Sequence, residues 1–282
     1  MRRFRVACGW HAEGVIMDLG LTGKAAIVTG GSAGIGLACA AALYSEGVSV
    51  AIVARSLDRL HESARSIAAG PSARPEAGVF PISGDVSRAD DVMRIVSTAR
   101  ERLGRIDILV NCAGAARAGA FLDLGDDAYL DAWTLKLLGY IRMVRAVVPA
   151  MIEQRDGRIV NIVGAAARTP DATFLAGGTA NAALLNFTRG VSKFLARHNI
   201  RINAISPGFT ATDRAERLAA QRAAANGTTL EEAKTQMAQA IPMGRLVDPA
   251  EIAAATLLSV SDRVKSMTGA EILIDGGQTP GV

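Results

Sequence analysis

The run Thr29-Gly30-Gly31-Ser32-Ala33-Gly34-Ile35-Gly36 carries the clearest chemistry in this sequence. It follows the apolar stretch AAIVT (25–29) and precedes an Ala-rich stretch that reaches about Glu46. Residues without a Cβ let a turn of backbone come up against a pyrophosphate, and the N–H groups opening the next helix favour its negative charge. A glycine pattern alone also marks ordinary turns. A strand before it and a helix after it are the context that makes it a nucleotide cradle, formed here by Gly30, Ser32, Gly34, Ile35 and Gly36. A second clue closes the next apolar run, VSVAIVA (48–54), where Arg55 and Ser56 follow. A carboxylate at that place would grip the ribose 2′-OH of NAD, and none is present. A guanidinium and a hydroxyl suit a 2′-phosphate instead. NADP(H) is therefore expected in preference to NAD(H), against the plainer alternative of a solvated arginine at a helix start.

The elements that must position these residues are legible as an alternation. Apolar runs at 25–29, 48–54, 79–82, 107–110, 158–163, 201–206 and 271–274 read as strands. Helical stretches separate them, among them 57–69, 91–103 and a long region between 110 and 158. Strands alternating with helices imply βαβ units and a parallel sheet, and unbroken apolar strands imply helices on both faces. The expected architecture is α/β: a single Rossmann-type, doubly wound parallel sheet of about seven strands, with a helical lid. The lid is the Ala/Gln/Glu-rich insertion at about 212–242, with a turn at Asn226-Gly227 and a capping box from Thr229 to Glu232. The helix after it is marked by Asp248 as N-cap, Pro249 at its first position and Glu251 at its third.

Composition excludes several other classes. The 282 residues are 50% apolar and 21% charged, enough for a core and unlike a disordered chain. No apolar run approaches a membrane span. The three cysteines (Cys8, Cys39, Cys112) and three histidines (His11, His61, His198) are scattered, so neither a disulfide framework nor a metal site is expected. With 4% aromatics and no basic block, nucleic acid is not an expected partner. The net charge of +4 owes three charges to Arg2, Arg3 and Arg5. Residues 1–18 read as a flexible extension and 19–282 as the nucleotide-binding domain. Met17 stands directly before that domain, which suggests a natural start there. With no export signal and unpaired cysteines, the cytoplasm is the expected location.

The glycine run, Gly84-Asp85-Val86, Asn111-Cys112-Ala113-Gly114, Pro207-Gly208-Phe209-Thr210-Ala211-Thr212 and Asp275-Gly276-Gly277 resemble, in that order, the motifs of the short-chain dehydrogenase/reductase family. The resemblance covers about Leu19 to Gly277. It implies that Asp85 and Val86 hold the adenine, that Asn111 supports the central strand, and that Ala113 and Gly114 lie beside the ribose. It places Pro207, Gly208 and Thr210 along the nicotinamide and Thr212 at its carboxamide or the pyrophosphate. It also implies a homotetramer or homodimer through the two long middle helices.

The family's reactive groups are missing. Its Ser position is Gly164, its Tyr position Gly177, its Lys position Asn181 and its middle-helix Asn position Lys136. Glycine has no proton to give. Lysine and asparagine thus look exchanged, so Lys136 could bind the ribose or act as general acid beside Asn181; the alternative is a solvent-facing lysine. Tyr129, Trp133, Lys136 and Tyr140 follow helical spacing. Tyr140 is either a substitute proton donor or part of a packing stripe. Asp171, Thr173 and Thr179 lie near the emptied positions. If the cavity kept its shape, returning Tyr at 177 and Lys at 181 would restore ordinary carbonyl reduction. Two functions follow: an NADP(H)-dependent oxidoreductase moving hydride to or from a small carbonyl or alcohol with a rebuilt site, or an inactive NADP(H)-binding sensor or partner subunit. Leu218, Met237 and Met243 in the lid favour an apolar substrate.

Overall fold

The computed structural model describes residues 18–70, 74 and 76–279. The expected extension, apart from Asp18, and the second start at Met17 lie outside the described residues, as do Cys8 and His11.

Seven strands form one parallel sheet in the order β3-β2-β1-β4-β5-β6-β7. They are β1 (Ala25–Thr29), β2 (Ser49–Ala54), β3 (Val79–Ser83), β4 (Ile108–Asn111), β5 (Gly157–Ile162), β6 (Ile200–Pro207) and β7 (Glu271–Ile274). Side chains alternate across a strand, so each feeds both faces. Ala26, Val28, Ile108, Val110, Val160 and Ile162 pack under α1 (Gly34–Ser45), α2 (Leu57–Ala68) and α9 (Pro249–Val260). Ile27, Leu109 and Ile159 point the other way, under α3 (Ala89–Leu103), α5 (Gly139–Gln154) and α6 (Leu175–Ala196). This is the doubly wound fold expected, with both faces of the sheet covered. No helix among the described residues is long and apolar enough to cross a membrane.

Local chemistry sets the helix ends. Asp248 and Glu251 form a capping box with Pro249 at the start of α9. Thr229 and Glu232 form another at the start of α8 (Leu230–Gln239). Gly227, at φ 65°, ends α7 (Asp213–Asn226). The helices α7 and α8 share a small apolar cluster of their own, built on Ala219, Ala223, Ala233 and Met237. One feature was not foreseen. Between α4 (Asp126–Ala132) and α5 the chain takes a π-helical turn, Trp133–Leu138, which contains Lys136. Such turns are rare and are frequent at functional sites.

The sheet order reverses between β1 and its neighbours β2 and β4, which opens a crevice at the carboxyl ends of the strands. Two polar ties hold that edge. The Thr29 hydroxyl accepts from the backbone N–H of Cys112 (3.0 Å) and of Ala113 (3.2 Å). Below it, Asn111 Nδ2 donates to Asn161 Oδ1 (3.0 Å), and Asn161 Nδ2 donates to Thr188 Oγ1 (2.9 Å), which donates to Leu184 O (2.8 Å). All three side chains are buried. Removing the central one strands a donor on Asn111 and an acceptor on Thr188. Asn161→Ala is therefore expected to lower the unfolding free energy by about 2–4 kcal/mol. Urea unfolding checks this; a loss within error of zero would show the chain of bonds to be dispensable.

Candidate active site

At the crevice, Gly30 N and Gly31 N both donate to Val53 O (2.8 and 3.2 Å), so the glycine turn is pinned to the end of β2. A Cβ on Gly36 would stand 2.2 Å from Gly30 O, so the turn closes on α1 only without one. The helix α1 opens on Ala33 with no side-chain cap and no acidic residue in its first turn. Its N–H groups are thus left to a ligand, and the dipole there favours an anion. Thr212 packs over the turn, its Cγ2 3.2 Å from where a Cβ of Gly34 would be. Ser32 contributes its carbonyl, which accepts from Ser63 Oγ (3.2 Å).

Arg55 is exposed at the end of β2. Ser56 is the N-cap of α2, where its oxygen accepts from Arg59 N (3.4 Å) and its O–H stays available. Asp85 commits one carboxylate oxygen to Ser87 N (2.9 Å). Val86 is buried against Gly139 at the start of α5. Across the crevice, Gly208 N donates to Ile274 O (2.9 Å), and Asp275 leaves no room for a Cβ on Gly208. Thr210 Oγ1 donates to Gly208 O (3.0 Å) and Thr212 Oγ1 to Thr210 O (3.3 Å), which shapes the loop leaving Pro207. A cradle without Cβ atoms, an uncapped helix start and a cation with no competing acid at the end of β2 together fit a phosphorylated dinucleotide.

Beside this groove lies a small cavity of ≈ 20 Å³, room for about one water molecule. Gly114, Lys136, Phe174, Gly177, Asn181 and Arg214 are in its wall. Lys136 is half-buried and lines the cavity, and Nζ donates to Val163 O. Burial, reinforced by the Arg214 guanidinium, holds its pKa down at about 8, with Cys112 acting slightly the other way. Asn181 is buried on the facing helix, and its Oδ1 has no hydrogen-bond partner. The pair expected from the exchanged positions thus does share one cavity.

Tyr140 requires a correction. It is buried, its O–H donates to Ile162 O (3.0 Å), and burial raises its pKa well above the usual phenol value. It is absent from the cavity wall, so it packs rather than supplying a proton. Trp133 stacks edge-on to Tyr129 and donates from Nε1 to Thr179 Oγ1 (3.0 Å), so Thr179 is committed as well. Thr173 is bonded to Asp171 (2.7 Å).

The emptied positions are not empty space. A Cβ on Gly177 would lie 2.2 Å from Phe174 Cζ, so the phenyl ring occupies the room a larger residue would need. Arg214 Cζ sits 5.7 Å from the centre of that ring. Gly164 has φ 128°, a backbone that disfavours serine, and a Cβ there would meet Asn181 Nδ2 at 2.9 Å. A tyrosine at 177 would therefore require the Phe174 ring to move. Phe174 and Arg214 went unnoticed in the sequence. Phe174, three residues before Gly177, was the available hint; nothing in the spacing told that Arg214, exposed at the start of α7, also lines the cavity.

A family model described as enoyl-(acyl carrier protein) reductase matches residues 30–279. Oxidoreductase UcpA of Salmonella typhimurium is 36% identical over 265 residues, 92% of this chain and 95% of that protein. NADPH-dependent reductase BacG of Bacillus subtilis is 32% identical over 254 residues, 90% and 97% of the two chains. Among solved structures, L-sorbose reductase from Gluconobacter frateurii, complexed with NADPH and L-sorbose, superposes with a TM-score of 0.88 at 30% identity. It covers 94% of this chain and 100% of its own.

The Phe174 ring makes a testable claim about Gly177. Gly177→Tyr alone is expected to cost about 1–3 kcal/mol by overpacking. Adding Phe174→Ala should recover most of that loss in thermal or urea unfolding. A single variant as stable as the parent would mean that the ring moves aside freely.

Proposed function

This chain belongs to the short-chain dehydrogenase/reductase family, and from that premise we propose that it is an NADP(H)-dependent oxidoreductase acting on a small carbonyl or alcohol. The observation that carries this reading is Arg55, an exposed guanidinium at the end of β2 where an NAD site carries an acid. BacG and the sorbose reductase structure, both named with NADPH, support it. The relatives named as oxidoreductases favour catalysis over a purely nucleotide-binding role.

The bound cofactor would supply the hydride chemistry. The chain's own part is to hold, orient and protonate. The glycine turn and the start of α1 would hold the pyrophosphate, and Arg55 with the Ser56 hydroxyl the 2′-phosphate. The uncommitted Asp85 oxygen and Val86 would take the adenine. Asn111 secures the strand end on which Ala113 and Gly114 meet the ribose, while Pro207, Gly208, Thr210 and Thr212 would line the nicotinamide side. In the cavity, Lys136 gives one of its three N–H donors to Val163 O, which leaves two for a substrate oxygen or ribose hydroxyl. An ammonium with a pKa of about 8 is well matched to giving up a proton near neutral pH. Asn181 Oδ1 would accept from a hydroxyl. The helices α7 and α8, packed on each other, would serve as the lid. A homo-oligomer belongs to the same reading, with Leu130, Leu138 and Phe194, exposed on the two long middle helical segments, as surface it would cover.

Arg55→Ala should weaken NADPH binding by at least about tenfold while changing NADH binding little, since only the 2′-phosphate loses a charged partner. Nicotinamide fluorescence measures both; equal losses would reject the 2′-phosphate role. The protonated amine is the acid form, so kcat/KM for reduction should fall as pH rises through about 8, and oxidation should gain. Lys136→Met should remove that limb and the turnover while NADPH still binds. A profile unchanged in the variant would remove Lys136 from the chemistry.

A further inference from the structure

The cavity wall carries two cations, Lys136 and Arg214, and not one carboxylate. Among the described residues no carboxylate pairs with Arg214; partial desolvation of its guanidinium and the adjacent Arg217, a further cation, both disfavour its charge. Lys136 answers to the same field, since Arg214 is the second cause of its lowered pKa. Arg214 is exposed to solvent as well as lining the wall, so water screens the pair in part, and an anion entering between the two like charges would be attracted by both. The residues behind the apolar expectation lie elsewhere. Met237 is buried in the cluster that α7 and α8 share, with Leu218 packed against it, and Met243 is exposed, so none of the three faces the cavity.

Resting on the oxidoreductase reading above, we propose that the substrate is a small carboxylate-bearing carbonyl compound, or the hydroxy acid that corresponds to it. Arg214 takes the carboxylate. Its planar fork can hold both oxygens at once, which the single ammonium of Lys136 cannot. Lys136, tethered to Val163 O, meets the carbonyl oxygen next to that carboxylate. Asn181 Oδ1, buried and without a partner, accepts from the hydroxyl when the substrate is in its alcohol form. Phe174 supplies the wall between, with Arg214 resting over its ring. The cofactor's own phosphates are the competing anion. Arg214, however, lines the wall with Phe174, Gly177 and Asn181, whereas the glycine turn belongs to the neighbouring groove. The cavity of ≈ 20 Å³ admits no such substrate as it stands, so entry requires the Phe174 ring, which lies over Gly177, to move.

The test is calorimetric titration of the NADPH-loaded full-length chain with a 2-oxo acid series, from pyruvate through 2-oxobutanoate to phenylpyruvate, each paired with its methyl ester. At least one acid is expected to bind about tenfold or more tighter than its ester. Arg214→Leu should bring the pair to within about twofold, with Arg214→Lys in between, while NADPH affinity stays within about threefold. Esters binding as well as acids, or no acid binding at all, would overturn the proposal. So would a loss of NADPH affinity of about tenfold in Arg214→Leu, which would hand the arginine to the cofactor. Failure of NADPH itself to bind the parent chain would defeat the oxidoreductase reading separately. The same acid and ester titrations on the free protein would then decide the anion site alone. For a turned-over acid, the pH limit assigned to Lys136 should lie higher than for its ester, because a bound carboxylate favours the ammonium.

Discussion

One hydroxyl holds the working edge of this molecule together. Thr29 closes β1, and its oxygen accepts from two successive N–H groups where the chain leaves β4. The sheet order reverses at that pair of strands, so the two exits diverge and open the crevice. Without an acceptor there, Cys112 N and Ala113 N would be unsatisfied in a half-buried site. With it, the glycine turn after β1 and the Ala113–Gly114 stretch after β4 are fixed relative to one another. Gly114 in turn stands against the Lys136 side chain, its notional Cβ 3.3 Å from Cδ. The phosphate cradle and the rebuilt cavity are therefore two ends of one clamped edge.

The two parts rest on different kinds of contact. The cradle depends on backbone: N–H groups, the absence of Cβ atoms and a helix start. The cavity depends on side chains from the π turn, α6 and α7. The four positions that the resemblance assigns to reactive side chains hold Gly164, Gly177, Asn181 and Lys136, none of which makes a bond of the cradle. The wall sets two cations, Lys136 and Arg214, among alanine, glycine, Phe174 and Asn181.

The sequence was most informative where burial leaves a linear trace. The seven strands are apolar runs because both faces of the sheet are covered, and their ends fell within a residue or so of those expected. The caps at Thr229 and Asp248 are local bonds between residues three apart, so they too could be read directly. The placement of Lys136 and Asn181 around one cavity was legible only through the order of motifs. The rest depended on contacts across the chain. A bond from Lys136 to Val163 O and a ring from Phe174 lying over Gly177 have no signature in neighbouring residues. Nor does a π turn, whose i→i+5 bonds leave composition unchanged. Tyr140 misled because spacing places it beside Lys136 without telling that its hydroxyl already has a carbonyl.

The π turn gives length, and not only chemistry, a hold on the site. An α-helix advances about 100° per residue, so one residue fewer between Trp133 and Leu138 would swing everything upstream around the axis of α5. Trp133 would leave Thr179, and Lys136 would change the direction in which its ammonium points. A single codon gained or lost in that turn would therefore redirect the cavity's charge without altering any functional side chain. The length of the segment 133–138 is thus as much a functional variable as the identity of any residue in it.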